Sequence, residues 1–251
     1  MLAAIKSYLP ENIKVVLRKI RHQFKDPRTL CRKLLARQYL KGNGIEIGAL
    51  HNPLKVGRNV NVKYVDRYDN KGLAEHYPEQ LSRKFVKVDI IDDGETLGSI
   101  PDGSQDFVIG NHFLEHSQNP LMTLKHMHRV LKIGGILYLA LPDKRYTFDM
   151  KRPITPLEHL FKDLREGPQG SKHQHYEEWV AFVDGVTNAK RAEVETARLI
   201  EQDYSIHFHV WTQTEMLEMF IALKKQLGID FDIEASLKNG IEFITILRKM
   251  G

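Results

Sequence analysis

Short apolar runs separated by longer polar or amphipathic stretches make up most of the chain. Five of these runs have the length of buried strands, and they cover residues 45–49, 62–66, 85–90, 105–111 and 136–141. Between the last two runs, apolar residues recur at helical spacing from Pro120 to Leu131. Strands that alternate with helices predict a parallel, doubly wound sheet, whose ligands bind beyond the carboxyl ends of the strands.

The C-terminal end of the chain has a different pattern. Asn239-Gly240 lies between two apolar runs, which is a strong indication of a β-hairpin. Thr212 stands at the start of an amphipathic stretch and is expected to cap a helix there. The sheet should therefore end in an antiparallel pair of strands.

Two carboxylates end the first two predicted strands. Glu46 and Asp66 are twenty positions apart, and a carboxylate about 20 residues beyond the first strand suits a ribose diol. The turn between them lacks the G-x-G-x-x-G pattern, because Gly48 is followed by Ala-Leu-His. A pyrophosphate would meet side chains at this turn, whereas S-adenosylmethionine has a ribose and no phosphate. The pattern therefore favours S-adenosylmethionine over a dinucleotide.

The stretches IEIGA, VKYVDR, FVKVDI, FVIGNHFLEH and RVLKIGGILYLALPD follow one another, and HVWTQTEMLEMFIALKK and FDIEASLKNGIEFITILRK come near the C-terminus. In this order they resemble the class I S-adenosylmethionine-dependent methyltransferases, over residues 42–143 and 207–249. Leu50 departs from the family pattern, which has a glycine there. The resemblance implies an α/β fold with a doubly wound, mostly parallel seven-stranded sheet, an antiparallel C-terminal hairpin, an N-terminal helical cap and a helical lid insertion.

The resemblance also implies where the cofactor binds. Asp66 would accept both ribose hydroxyls and Asp89 the adenine amino group, while the turn at Gly48 leaves backbone access for the methionine part. The predicted cofactor-binding residues are Glu46, Gly48, Ala49, Asp66, Arg67, Asp89, Ile90 and Asn111.

Two histidines follow the fourth predicted strand, where the resemblance places the reactive end of the cofactor. Methylation of an oxygen needs a base, and histidine is the commonest base near neutral pH. His116 is the first catalytic candidate, and His112 and Asp143 are the others. In the ubiquinone O-methyltransferases, which look similar here, residues at the positions of His112, Glu115 and His116 bind a divalent metal. Because magnesium avoids imidazole, we favour an arrangement without metal.

Residues 144–205 are expected to form a helical lid between the fifth strand and the last helix. Loops at this edge of such a sheet often carry function. The predicted acceptor contacts are Arg145, Tyr146, His175 and His207, and Arg152 is a candidate for clamping a carboxylate or phosphate. His173 and His175 do not share a helical face, which argues against a metal bound by that pair. His207 and His209 alternate with apolar residues, so an extended segment could direct both to one face.

Composition and charge bound the remaining possibilities. The chain has 251 residues, 42% of them hydrophobic, which predicts one domain over residues 42–251. Its single cysteine, Cys31, predicts a cytoplasmic location.

Residues 1–41 hold eleven Lys and Arg against Glu11 and Asp26, a net charge of +9 in a chain of net charge +5. We interpret this segment as two basic helices that cap the domain. Contact with a membrane surface or an acidic partner is the alternative. Nucleic acid is not expected, since aromatic residues do not interleave with the basic ones.

Together these patterns predict an S-adenosylmethionine-dependent methyltransferase that acts on oxygen rather than nitrogen or carbon. By analogy with the family, the acceptor is a small molecule or is linked to a saccharide, and it can be acidic. The alternatives are a non-catalytic methyltransferase-like binding module and an NAD-dependent oxidoreductase. The missing glycines disfavour the oxidoreductase.

Overall fold

The computed structural model of the chain describes residues 27–80 and 82–251. The helices are α1 (Pro27–Tyr39), α2 (Asn70–His76), α3 (Pro120–Val130), α4 (Leu157–Glu166), α5 (Gln169–Phe182), α6 (Ala189–Glu201) and α7 (Gln213–Leu227). The strands are β1 (Gly42–Ile47), β2 (Val60–Asp66), β3 (Ile90–Ile91), β4 (Gln105–Asn111), β5 (Leu131–Pro142), β6 (Phe231–Asn239) and β7 (Glu242–Lys249).

The strands form one seven-stranded sheet in the order β3-β2-β1-β4-β5-β7-β6. The first five strands pair in parallel, and β7 is antiparallel to both β5 and β6. This arrangement confirms the predicted fold class. The chain reverses its direction of winding between β1 and β4, so their carboxyl ends leave a crevice between them.

The sheet is buried on both faces. One face packs against α3 and α7, which contribute Leu121, Leu124, Met127, Met216, Met219 and Leu223 to the main core. The other face packs against α1 through residues such as Leu35 and Leu40. The apolar periodicity of the sequence thus places helices on both sides of the sheet.

The third predicted strand is much shorter than expected. The pattern predicted a strand over 85–90, but only Ile90–Ile91 pairs with β2. The side-chain amide of Asn70 donates to the carbonyl of Val86 at 2.6 Å and accepts from the amide of Val88 at 3.0 Å. Backbone groups in this stretch therefore bond to a side chain instead of a strand ladder.

The second helix of the predicted N-terminal cap is present as α1. Leu35 and, just after the helix, Leu40 are buried, whereas Leu30 and Leu34 are 45% and 55% exposed. Ala36, fully buried, takes the central position of the packed face. The first predicted helix lies outside the described residues.

The lid consists of α4, α5 and α6, inserted between β5 and α7. Its helices α5 and α6 enclose a small core of their own with the segment that precedes α7, made of Tyr176, Val180, Leu199, Ile206 and Phe208. Thr212 and Glu215 form a reciprocal capping box at the start of α7, as expected for a Thr N-cap. Within residues 27–80 and 82–251, no helix combines the length and apolarity needed to cross a membrane.

Candidate active site

A cavity of about 270 Å³ opens at the carboxyl ends of β1, β2 and β4. The sheet side of its wall includes Gly48, Leu50, Asp66, Arg67, His112, Phe113 and His116. The lid side includes Tyr176, Asp203, Tyr204, Ser205 and Phe208. Parallel α/β sheets bind their ligands in this crevice, so the cavity is the candidate active site.

The turn after β1 keeps an unusual backbone path without the expected glycine. Gly48 has φ +64° and its amide donates to the carbonyl of Val65 at 3.0 Å. Leu50 has φ +48°, in the left-handed region where a non-glycine residue costs roughly 1–2 kcal/mol. Although Leu50 replaces the glycine of the family pattern, the backbone keeps the left-handed conformation at this position.

A second hollow of about 260 Å³ adjoins the same turn and is lined by Glu46, Ala49 and Asn111, among others. The buried carboxylate of Glu46 accepts the amide of Leu54 at 3.0 Å and the side-chain amide of Asn111 at 3.1 Å. Burial raises the pKa of Glu46 to about 7. The side-chain oxygen of Asn111 is buried and has no hydrogen-bond partner among the described residues.

Asp66 lies half-buried at the end of β2. Its carboxylate accepts only the adjacent amide of Arg67, at 2.9 Å, and burial raises its pKa to about 6. Asp66 thus has accepting capacity left for hydroxyl groups, as a ribose diol requires. Together with the free oxygen of Asn111 and the open turn at Gly48, it fits the ribose and amino-acid parts of S-adenosylmethionine.

A group of two histidines and a carboxylate, here called the cavity cluster, consists of Glu115, His116 and His207. The Nδ1 of His116 is 2.8 Å from the carbonyl oxygen of Ile206, so Nδ1 donates and Nε2 is left to accept a proton. Burial lowers the pKa of His116 to about 4, which keeps the ring neutral. The Nδ1 of His207 is 2.7 Å from the buried carboxylate of Asp149.

His112 has a different charge state. Its Nε2 is 2.8 Å from Glu242, and its Nδ1 lies 3.4 Å from Glu115. Burial lowers the pKa of His112, but the two carboxylates outweigh this effect and raise it to about 9. His112 is therefore protonated at neutral pH, with both ring nitrogens facing carboxylates, and is not suited to remove a proton.

Residues 42–139, which contain the whole sheet side of this cavity, match the family model described as a methyltransferase domain. The chain therefore carries a methyltransferase domain over these residues, and this match supports the class I S-adenosylmethionine-dependent methyltransferase family. The protein is an enzyme of the transferase class, and S-adenosylmethionine is its cofactor. No protein with a curated description matches the methyltransferase.

Three solved structures similar to the methyltransferase are distant from it in sequence. A Rhodobacter sphaeroides protein provisionally assigned as a Zn-dependent alcohol dehydrogenase is 12% identical, with TM-score 0.52, covering 85% of this chain and 86% of its own. This likeness shows the fold alone. An S-adenosylmethionine-dependent methyltransferase from Aquifex aeolicus is 15% identical, with TM-score 0.47 and coverage of 92% and 98%. One from Methanosarcina mazei is 15% identical, with TM-score 0.45 and coverage of 86% and 95%.

Some of the predicted cofactor residues of the methyltransferase lie away from the cavity. Asp89 is exposed, and its carboxylate accepts the amide of Tyr64 on β2 at 3.1 Å. Ile90 packs against the main core. The structure therefore brings Asp66 and Arg67 to the cavity wall but neither Asp89 nor Ile90.

The set of possible metal ligands also differs from the predicted one. Donor atoms of Glu115, His116 and His207 lie within 4.8 Å of one another, so the cavity cluster could hold a divalent ion. His112, a member of the predicted set, is not part of this group. His207 comes from the far end of the lid instead.

Several predicted lid contacts hold the protein together rather than lining the cavity. Asp143 is buried and pairs with exposed Arg145 at 2.6 Å, and Tyr146 lies under the ammonium of Lys238. The fully buried Arg152 donates to Asp149 and to the carbonyls of His207 and Phe208, so it braces the lid and does not clamp an acceptor as expected.

The predicted common face for His207 and His209 is wrong. The amides of Phe208 and His209 both donate to the carbonyl of Glu115, at 2.8 and 3.3 Å. Two neighbouring amides on one carbonyl bend the backbone away from a regular strand. His207 consequently joins the cavity cluster, while His209 packs against His175 inside the lid.

Lid residues other than the four predicted acceptor contacts complete the cavity. Tyr176 is buried with its hydroxyl 2.9 Å from the carbonyl of Tyr204, and Arg67 reaches Asp203 at 3.6 Å across the cavity. In the sequence, this part of the cavity is indicated by residues 206–210, where apolar residues alternate with histidines as in a buried extended segment.

Proposed function

We propose that this methyltransferase methylates a hydroxyl oxygen on a small-molecule or saccharide-linked acceptor. The observation that carries the proposal is the position of His116. Its ring lines the cofactor cavity, and the 2.8 Å contact from Nδ1 to the carbonyl of Ile206 leaves Nε2 as the proton acceptor. A hydroxyl nucleophile needs such a base more than a neutral amine does, because a neutral hydroxyl oxygen is a weaker nucleophile than an amine nitrogen.

Bound S-adenosylmethionine supplies an electrophilic methyl group on its sulfonium. His116 would take the proton of the acceptor hydroxyl at Nε2, while the methyl group would leave the sulfonium, so that S-adenosylhomocysteine would be the second product. General-base catalysis of this kind typically contributes about 10²- to 10⁴-fold to the rate. The rest comes from holding donor and acceptor in line at about 3–3.5 Å.

Aromatic side chains beside the cavity cluster support an acceptor with a ring. Phe148 is 56% exposed, and its ring centroid lies 4.8 Å from that of His207 and 5.5 Å from that of Trp179. Such a surface can stack on an aromatic ring or on the apolar face of a sugar. The single cysteine, Cys31, is consistent with a cytoplasmic site of action.

A panel of acceptors tests the proposal. The purified protein would be incubated with S-adenosylmethionine carrying a deuterated methyl group and with matched hydroxyl, amine and carbon-acid compounds, including acidic glycosides. We expect O-methylated products, identified by mass spectrometry and by the chemical shift of the new methyl group. Products methylated only on nitrogen or carbon would overturn the assignment of oxygen as the nucleophile.

A further inference from the structure

A second histidine group, here called the lid cluster, lies inside the lid and consists of His159, Asp163, His175 and His209. His159 and Asp163 are on α4, His175 is on α5, and His209 is in the segment before α7. One donor nitrogen from each of the three histidines lies within 4.8 Å of the other two. Asp163, His175 and His209 are 2%, 5% and 0% exposed.

The donor atoms of the lid cluster have the spacing of a metal site. The Nε2 of His159 lies 3.1 Å from the Nε2 of His175 and 3.1 Å from a carboxylate oxygen of Asp163. A tetrahedral zinc ion with Zn–N bonds of about 2.0–2.1 Å separates neighbouring donors by about 3.3 Å. Small side-chain movements would therefore place the three histidine nitrogens around one ion, and the carboxylate of Asp163, which lies beside His159, is the fourth donor.

Outer hydrogen bonds fix the orientation of two members. The Nε2 of His209 faces the carbonyl of Gln118 at 3.3 Å and must donate to it, which leaves Nδ1 with a free electron pair. The hydroxyl of Ser171 donates to Oδ1 of Asp163 at 2.7 Å. Metal-binding histidines and carboxylates are commonly held by such outer contacts.

Three atoms of the lid cluster are buried without hydrogen-bond partners among the described residues, namely Oδ2 of Asp163, Nδ1 of His175 and Nδ1 of His209. A buried polar atom without a partner typically costs about 1–3 kcal/mol. A metal ion would satisfy the atoms of Asp163 and His209 at once. Three imidazoles and one carboxylate match the ligand preference of zinc, whereas magnesium prefers oxygen ligands throughout.

We propose that His159, Asp163, His175 and His209 bind a zinc ion that fastens the lid helices α4 and α5 to the segment before α7. Four protein ligands leave no open position, as in structural rather than catalytic zinc sites. His207 is two residues from His209, so the ion would also hold the segment that completes the cavity cluster. The lid cluster is distinct from the cavity cluster and shares no ligand with it.

Zinc stoichiometry and affinity in the full-length protein test this proposal. Zinc-loaded, dialysed protein would be analysed by elemental mass spectrometry, and Co²⁺ titration would be followed by visible absorption. We expect one zinc per chain, a cobalt spectrum of four-coordinate intensity and a higher melting temperature with zinc. His159→Ala should lose all three, and Ser171→Ala should weaken zinc affinity about 10- to 100-fold while leaving every ligand in place.

The matched control is His173→Ala, on the same helix as His175 but with a 67% exposed side chain. It should bind zinc like the unaltered protein. Circular dichroism of each variant checks folding, and the conservative Ser171→Ala serves if His159→Ala does not fold. The absence of tightly bound zinc in the unaltered protein would overturn the proposal. So would zinc that survives both lid variants and disappears in His207→Ala, because the ion would then belong to the cavity cluster.

Discussion

The cavity cluster and the lid cluster are built from the same residue types but have different access to ligands. His116 of the cavity cluster lines the 270 Å³ cavity that Asp66 also lines. His175 and His209 of the lid cluster are 5% and 0% exposed. We infer that the cavity cluster takes part in the reaction and that the lid cluster holds the structure.

A carboxylate next to the cavity cluster and the carboxylate of the lid cluster also differ in how their charges are compensated. Asp149, which orients His207, is paired with the fully buried guanidinium of Arg152 at 3.1 Å. Asp163 of the lid cluster has the Ser171 hydroxyl and the partly exposed His159 as neighbours, with no buried cation. Histidines alone therefore do not distinguish the roles, whereas the surrounding charges and the access to the cavity do.

The largest expected effect compares these two carboxylates. Asp149→Asn leaves the buried Arg152 with only its longer contact to Glu178, at 3.6 Å, and breaking a buried ion pair typically costs about 3–5 kcal/mol of unfolding free energy. Asp163→Asn in metal-free protein loses hydrogen bonds only and should cost about 1–3 kcal/mol. Urea unfolding of chelator-treated proteins measures both. Equal losses of unfolding free energy, or a larger loss for Asp163→Asn, would contradict the difference between the two carboxylates.

Cofactor binding should depend on neither cluster. Asp66→Ala removes the free carboxylate of the cavity wall, and losing a charged acceptor typically costs about 1.5–3 kcal/mol, at least tenfold in S-adenosylmethionine affinity. Isothermal titration calorimetry measures this. Asp89→Ala is the control, because Asp89 is exposed and outside the cavity. Unchanged affinity in Asp66→Ala would remove Asp66 from the cofactor site.

A smaller effect separates Asp66 from the cavity cluster by pH. The pKa of Asp66 is raised to about 6, so its carboxylate becomes protonated as the pH falls from 7 to 5. His116, with a pKa of about 4, stays mostly neutral over this range. S-adenosylmethionine affinity should therefore fall up to about tenfold between pH 7 and 5. Calorimetry on Asp66→Asn should show a flatter profile, and an equally steep one would point to another titrating group.

Much of the sheet could be predicted because burial imposes a simple pattern on strands. The runs around Ile45, Val108 and Leu139 are apolar since both faces of a parallel sheet are covered. The strand over 85–90 was overestimated because the side chain of Asn70, far away in sequence, takes its backbone hydrogen bonds. No local pattern reveals such a contact.

The sites were predictable only where their residues follow the strands of the sheet. Asp66 and His116 follow strands whose ends must meet, so their shared cavity could be expected from the sequence. The lid cluster joins His159, His175 and His209 from three separate elements, and no spacing within the chain indicates their convergence. His175 lies with His159 and His209, which are distant from it in sequence, and not with the neighbouring His173.

The most direct test of the division between the clusters is the single-turnover rate of methyl transfer, measured with prebound S-adenosylmethionine and the acceptor found in the panel. His116→Ala should slow this step about 10²- to 10⁴-fold with cofactor affinity preserved. His159→Ala, in the lid cluster, should lower the melting temperature and change the rate less than tenfold at a temperature where the variant is folded. A variant His116→Ala that keeps nearly full turnover while His159→Ala loses it would contradict the account.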